Sequence, residues 1–261
     1  MTDKETRVLA IIPAHNEEDS ISTTIEELVS VRPDVDVVVV DDGSSDRTAD
    51  IVRSMGYAII SLPVNLGIGG AVQTGLYYAF RNDYDVAFQY DADGQHRPDQ
   101  ISVIIDPILC GDADMVLGSR FLEKNGYRVS LVRGCMMWLL RTLSSRAIGQ
   151  KVTDNTSGFR AYGKDAIRFM TTNCSYDYPE IEAIICLSRS GYRFVEVSTL
   201  MRERVAGTSM FTPFRAFYFV IRSLMALLMS VLNTPKVKKS TKCCVKEVTD
   251  DTAATSASRR Y

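Results

Sequence analysis

The chain has no Cys-x-x-Cys pair, no lysine-terminated glycine loop and no surplus of charge, and each absence removes a class of protein. Its six cysteines, Cys110, Cys135, Cys174, Cys186, Cys243 and Cys244, lack metal-ligand spacing, and four fall in stretches that read as core or helix. Reduced thiols in a cytosolic setting are therefore expected, rather than a zinc site or a disulfide framework. A formal net charge of -2 gives no reason to expect a nucleic acid partner. Residues Met1 to Arg7 are polar and carry no apolar core of a signal peptide. The cluster Gly67-Ile68-Gly69-Gly70 has neither the Lys-Ser/Thr ending of a triphosphate loop nor the Gly-x-Gly-x-x-Gly order of a dinucleotide site. It fits close packing of a turn on a helix as well as it fits the lining of a nucleotide pocket, where Gly69 would face the ligand.

What is present is a regular alternation. At 261 residues, 46% of them apolar, the chain suits one large α/β domain or two small ones. Apolar runs at Val8 to Pro13, Val37 to Val40, Tyr57 to Leu62, Val86 to Phe88 and Met115 to Gly118 read as strands. Between them lie segments with helical spacing, such as Ile21, Ile25, Leu28 and Val29. This order predicts a mostly parallel sheet with helices on both faces, whose ligands sit beyond the carboxyl ends of the strands. Asp41, Asp42, Asp91 and Asp93 all fall at such ends.

The stretch Gln89-Tyr90-Asp91-Ala92-Asp93-Gly94-Gln95-His96-Arg97-Pro98 organises the rest. If extended geometry persists through Ala92, Asp91 and Asp93 share a face. Two hard carboxylates so close suit Mg²⁺ or Mn²⁺, which are held by one or two carboxylates together with substrate phosphates and water, and Gln95 adds a neutral oxygen. An acidic turn in a solvated loop is the alternative. Arg120, just past a strand end, is placed to bind a diphosphate or to form a surface ion pair. The segment from Arg202 to Met210, with Arg204 and Gly207, reads as a loop able to close over an anion. The apolar stripe around Trp138 reads as core or interface rather than as a cofactor box.

Phe214 to Leu232 is the most apolar stretch, yet it contains Arg215 and Arg222. A central arginine costs several kcal/mol in lipid, so an amphipathic helix on a membrane surface or against the domain is expected rather than a span. Lys236, Lys238, Lys239, Lys242 and Lys246 would then meet anionic headgroups, and the remainder to Tyr261 reads as a disordered tail. The expected divisions are a tail at 1–6, a catalytic domain at 7–212, the apolar helix at 213–233 and the tail at 234–261.

Seven stretches in register resemble the family 2 glycosyltransferases with the GT-A fold, in particular the dolichyl- or polyprenyl-phosphate mannosyltransferase-like branch. They are Ile12-Pro13-Ala14-His15-Asn16-Glu17, Val40 to Asp46, Asn65-x-Gly67-x-Gly69, Asp91 to His96, Gly118-Ser119-Arg120, Thr156 to Arg160, and Arg202-x-x-x-x-Gly207-x-Ser209. The resemblance implies a single GT-A, Rossmann-like α/β domain that takes a nucleotide-diphosphate sugar. Pro13, Ala14, Glu17 and Asp42 would line the base and ribose, Asp91, Asp93 and Gln95 would hold Mg²⁺ or Mn²⁺, and Arg120 with Arg202 or Arg204 would contact phosphates. It further implies an inverting enzyme, peripheral on the cytoplasmic membrane face, whose acceptor is a polyprenyl phosphate. A membrane-spanning partner subunit is a further possibility within that branch. A phosphate acceptor needs little base catalysis, whereas a hydroxyl on a lipid-linked glycan would need a base, for which Asp177, Glu180 and Glu182 are the candidates. A non-catalytic nucleotide-binding module is the third reading.

Overall fold

The computed structural model describes residues 6–122, 131–154, 157–173 and 179–202, together with Met225 and Leu228; the side chains of 131–137, 140 and 179–182 are outside that description. Apart from Met225 and Leu228, the expected apolar helix at 213–233 and tail at 234–261 lie outside the described residues, as do Arg204 and Asp177.

The described strands are β1 (Val8–Ala14), β2 (Val35–Asp41), β3 (Ala58–Ser61), β4 (Val86–Gln89), β5 (Met115–Ser119), β6 (Arg160–Gly163) and β7 (Phe194–Ser198). The helices are α1 (Ile21–Val31), α2 (Thr48–Ser54), α3 (Gly67–Arg81), α4 (Ile101–Leu109), α5 (Leu131–Ile148), α6 (Lys164–Asn173) and α7 (Pro179–Arg189). The strands form one sheet in the order β3-β2-β1-β4-β6-β5-β7. Every neighbouring pair is parallel except those made by β6, which runs against both β4 and β5.

β1 shows why the strands read as unbroken apolar runs. Its Val8, Ala10 and Ile12 pack with Ile21, Ile25 and Leu28 of α1, Val52 of α2, and Ile101, Ile104 and Ile105 of α4. Leu9 and Ile11 face the other way, onto Ala71, Val72, Leu76 and Ala79 of α3, with Ala166, Ile167 and Met170 of α6 in the same cluster. With both faces covered, side-chain alternation sends apolar residues into two cores, and each fully buried aliphatic contributes about 1.5–3 kcal/mol. At Gly75 helix α3 meets β1 so closely that a Cβ would overlap Ile11 Cγ2.

Two features position the site. The chain leaves β1 for β2 and β3 on one side and returns to β4 on the other, so the ends of β1 and β4 flank a topological switch point where ligand crevices form. Because β6 is reversed, its entry at Phe159 and Arg160 lies on the same edge at which the parallel strands end. Helix α6 has no counterpart in the sequence reading, since only Ala166, Ile167 and Met170 of its ten residues are buried. Trp138 on α5 is 64% exposed, so among the described residues it is surface rather than core.

Candidate active site

The ends of β1 and β2 build the first wall. Pro13 and Ala14 pair with Val40 and Asp41, and the Asp42 amide donates to Ala14 O at 2.8 Å. The buried Asp42 carboxylate accepts from the Leu66 amide (2.7 Å) and the Gly67 amide (2.8 Å), which holds the start of α3 against the strand ends. Gly67 has φ +82°, a conformation that a residue with a Cβ adopts only with strain. Gly69 follows in the first turn of α3 and is buried.

The loops after β1 and β2 are stitched together by side chains that accept from main-chain amides. Asn16, itself at φ +56°, accepts from the Ser45 amide at 2.8 Å, while its own amide donates to Ser44 Oγ at 3.0 Å. The Glu17 amide donates to Thr48 Oγ1 (2.8 Å) and the Glu18 amide to Asp46 (3.1 Å). The Glu17 carboxylate accepts from Ser20 Oγ at 2.7 Å. Burial raises the pKa of the Asp46 carboxyl, but hydrogen bonds from Thr48 and Glu18 outweigh it and hold the group below the usual carboxylate range. These bonds satisfy loop amides that no helix or strand could pair, so two acidic loops become one rigid wall.

The second wall is the turn after β4. The strand ends at Gln89, and Ala92 and Asp93 lie in a turn, so strand alternation does not relate Asp91 to Asp93 as expected. Gly94, at φ +71°, makes the reversal possible. Asp91 accepts from Gln89 Nε2 at 2.7 Å, and its other oxygen lies 3.1 Å from His96 Nε2 without hydrogen-bond geometry. His96 is 3% exposed and stacks on Phe159 with ring centres 4.6 Å apart. Buried Asp93 accepts from the Gln95 amide at 3.1 Å and from Gln95 Nε2. A half-rotation of that side-chain amide exchanges its nitrogen for its oxygen, which converts Gln95 from a donor to Asp93 into a neutral oxygen ligand. Tyr90 OH donates to His96 O (2.8 Å) and Thr24 Oγ1 to Ala92 O (3.0 Å), fixing the turn to α1.

Among the described residues, no three His, Cys, Asp or Glu side chains form a group able to hold a metal. The side chains at the turn are two carboxylates and an amide. That set suits a hard divalent ion completed by substrate oxygens and water, and it does not suit a closed structural site.

The third wall carries arginine. Arg120 follows β5, and its Nε and Nη2 donate to the two oxygens of fully buried Asp154 at 2.7 and 2.9 Å. Of the two expected alternatives, the ion pair is the one formed, made side-on and to a buried carboxylate rather than to one on the surface. Asp154 is itself anchored, because its amide and that of Thr153 donate to Glu196 of β7 at 2.8 to 3.0 Å. Arg202 lies beside the second wall. Its amide donates to Gln95 O at 2.9 Å, and Met201 bridges His96, while its guanidinium pairs with Glu27 of α1 at 2.6 Å. Glu180 occupies the first turn of α7.

Several participants escaped the sequence reading. His96 and Gly158 each belong to one of the seven stretches but carry no role of their own in the sequence. A Cβ on Gly158 would lie 2.6 Å from Gln89 Nε2 and 2.9 Å from Asp91 Oδ2, so this glycine lets β6 approach the acidic turn. Glu196 carried no signal at all, since its partners are 42 and 43 residues away in sequence.

The model of glycosyl transferase family 2 matches residues 9–170. The chain is a family 2 glycosyltransferase. Its matched span runs from β1 into α6 and takes in the Asp42 cradle, the Asp91–Gln95 turn and Arg120. Among its relatives, an undecaprenyl-phosphate mannosyltransferase of Micrococcus luteus is 32% identical over 78% of this chain and 86% of its own length. A UDP-N-acetylglucosamine–dolichyl-phosphate N-acetylglucosaminyltransferase of Methanococcus voltae is 31% identical over 89% of this chain and all of its own. Among solved structures, glucosyl-3-phosphoglycerate synthase of Mycobacterium tuberculosis, crystallised with Mn²⁺, uridine diphosphate and phosphoglyceric acid, superposes with a TM-score of 0.67. That match covers 87% of this chain and 79% of the synthase at 20% identity, which establishes the shared GT-A architecture. No helix among the described residues of this glycosyltransferase is long and apolar enough to cross a membrane.

Proposed function

We propose that this glycosyltransferase moves a sugar, with inversion, from a nucleoside-diphosphate donor to a polyprenyl phosphate at the cytoplasmic face of a membrane, using Mg²⁺ or Mn²⁺. The observation that carries the reading is the turn after β4, where Asp91, Asp93 and Gln95 follow the strand end at the switch point of the sheet. The names of the Micrococcus and Methanococcus relatives support the choice of acceptor. In this reading Pro13, Ala14, Glu17, Asp42 and Gly69 line the nucleoside, Asp91, Asp93 and Gln95 hold the ion, and Arg120 meets the diphosphate with help from Arg202 or Arg204.

Transfer is a single displacement. A non-bridging oxygen of the acceptor phosphate forms a bond to C1 of the sugar as the bond from C1 to the diphosphate breaks, and the nucleoside diphosphate departs with the electron pair. The attacking oxygen is already anionic, so no proton has to be removed and no base is needed. Charge grows on the leaving diphosphate, and in this reading Arg120 stabilises it. A divalent ion bound at the turn would neutralise part of the same charge.

The test is nucleotide release from UDP-, GDP- and dTDP-sugars with Mn²⁺ or Mg²⁺ and a short-chain polyprenyl phosphate, following labelled lipid. Lipid product from one donor, dependent on the ion and lost in Asp93→Ala with the thermal midpoint retained, is the expected result. Near-normal turnover in that variant would remove Asp93 from the metal site. Release without lipid product would instead direct attention to a hydroxyl acceptor, with Glu180→Gln and Asp177→Asn as the next variants.

A further inference from the structure

Glu196 lies on β7, opposite Leu117 of β5 and close to where β5 hands the chain to Arg120. Its carboxylate collects four hydrogen bonds. Oε1 accepts from Thr153 Oγ1 (2.7 Å), the Asp154 amide (2.8 Å) and the Thr153 amide (3.0 Å), and Oε2 accepts from the Thr153 amide at 2.9 Å. Because the Thr153 hydroxyl spends its proton on Glu196, the contact between Ser119 Oγ and Thr153 Oγ1 at 2.7 Å runs from serine to threonine. Ser119 Oγ in turn accepts from the Phe121 amide at 3.2 Å. Arg120 is therefore held between two residues tied to the same strand pair. Asp154 grips its guanidinium at 2.7 and 2.9 Å and its amide at 3.2 Å. The circuit closes from Glu196 through Thr153 and Asp154 to Arg120, and from Ser119 back to Thr153.

We infer that Glu196 is a positioning residue for glycosyl transfer, setting the heading of the Arg120 guanidinium through Thr153 and Asp154. The inference rests on the reading of Arg120 as the diphosphate contact. Two short amides and a hydroxyl aimed at one carboxylate fix the 152–154 backbone, so the Asp154 carboxylate has one direction in which to present itself. A side-on pair then fixes both the plane and the heading of the guanidinium. Stabilisation of charge in the transition state depends on such aim, because a donor displaced by about 1 Å can cost roughly 100-fold in rate. Without Glu196 the Thr153 and Asp154 amides turn to water and Asp154 carries Arg120 with it.

The experiment is a double-mutant cycle on the full chain, reading kcat and KM for nucleotide release with whichever of UDP-, GDP- or dTDP-sugar turns over, Mn²⁺ and a short-chain polyprenyl phosphate. Arg120→Ala and Glu196→Ala should each lower kcat, Glu196→Ala by about 10–100-fold with donor KM changed little. Glu196→Gln keeps an acceptor oxygen for the same donors and should recover most of the rate. The deciding variant is Arg120→Ala with Glu196→Ala, which should be no slower than Arg120→Ala alone, since a residue that acts through Arg120 has nothing left to act on. Multiplied losses in the double variant, or a Glu196→Ala enzyme with wild-type kcat, overturn the positioning role and leave the Arg120 reading standing. A wild-type rate in Arg120→Ala overturns both.

Discussion

Replacing Gly158 by alanine tests whether the contact between β6 and the acidic turn matters. Gly158 has no positive φ that would forbid a side chain, so the whole effect comes from space. The new methyl would lie 2.6 Å from Gln89 Nε2, and ordinary contact begins near 3.4 Å, so Gln89 must retreat by about 0.8 Å. Gln89 is 6% exposed and its amide is the 2.7 Å donor to Asp91, so retreat breaks that bond. Overpacking costs about 1–3 kcal/mol and loss of a hydrogen bond to a charged group about 1.5–3 kcal/mol. The stiffer unfolded chain returns about 0.4–1 kcal/mol. The expected net loss is about 2–5 kcal/mol, a fall in thermal midpoint of roughly 4–20 °C for a chain of this size. Asp91, freed from Gln89, also loses its heading, so nucleotide release should fall by about 10–100-fold below the unfolding temperature. Calorimetry and the release assay on the same preparation measure both effects. An alanine variant with wild-type midpoint and rate would refute the argument that the approach of Gly158 fixes Asp91.

Two further outcomes follow from the packing and the charges. Gly75→Ala should destabilise by about 2–3 kcal/mol because its Cβ overlaps Ile11, and adding Ile11→Ala should relieve part of that loss, a non-additivity visible in urea midpoints. At the far end of β5, burial raises the pKa of the Asp114 carboxyl, but hydrogen bonds and charge from Arg193 prevail and hold it below the usual range. A carboxyl depressed by folding stabilises fully above its unfolded pKa of about 4 and loses that contribution as pH falls through its native value. The difference in urea midpoint between wild type and Asp114→Asn should therefore be widest near neutrality and shrink on acidification below about pH 4; a constant difference would contradict the assignment.

The sequence carried the parallel αβ layers because strands buried on both faces must be apolar throughout. Val8 to Ile12 and Val37 to Val40 show this directly. It also carried the strand ends, since glycine and acidic residues interrupt those runs just where a strand must stop and a helix begin. Asp42, Asp91, Asp93 and Arg120 were legible for that reason, and their order along the chain brought the family into view before any contact was known.

Other properties depend on which distant segments meet. Residues 160–163 are a short run whose reversal between β4 and β5 depends on competition among strand edges, and no local pattern records that competition. Helix α6 hides because three inward residues suffice to seat it. Asp91 and Asp93 looked like neighbours on an extended strand, but Gly94 lets the chain turn, and the turn gives Asp91 to Gln89 and His96 and Asp93 to Gln95. Asp154 and Glu196 are ordinary carboxylates in sequence. Their contacts with Arg120 and Thr153 exist only where the chain after α5 crosses the ends of β5 and β7, because a hydrogen bond acts over about 3 Å of space whatever the separation along the chain.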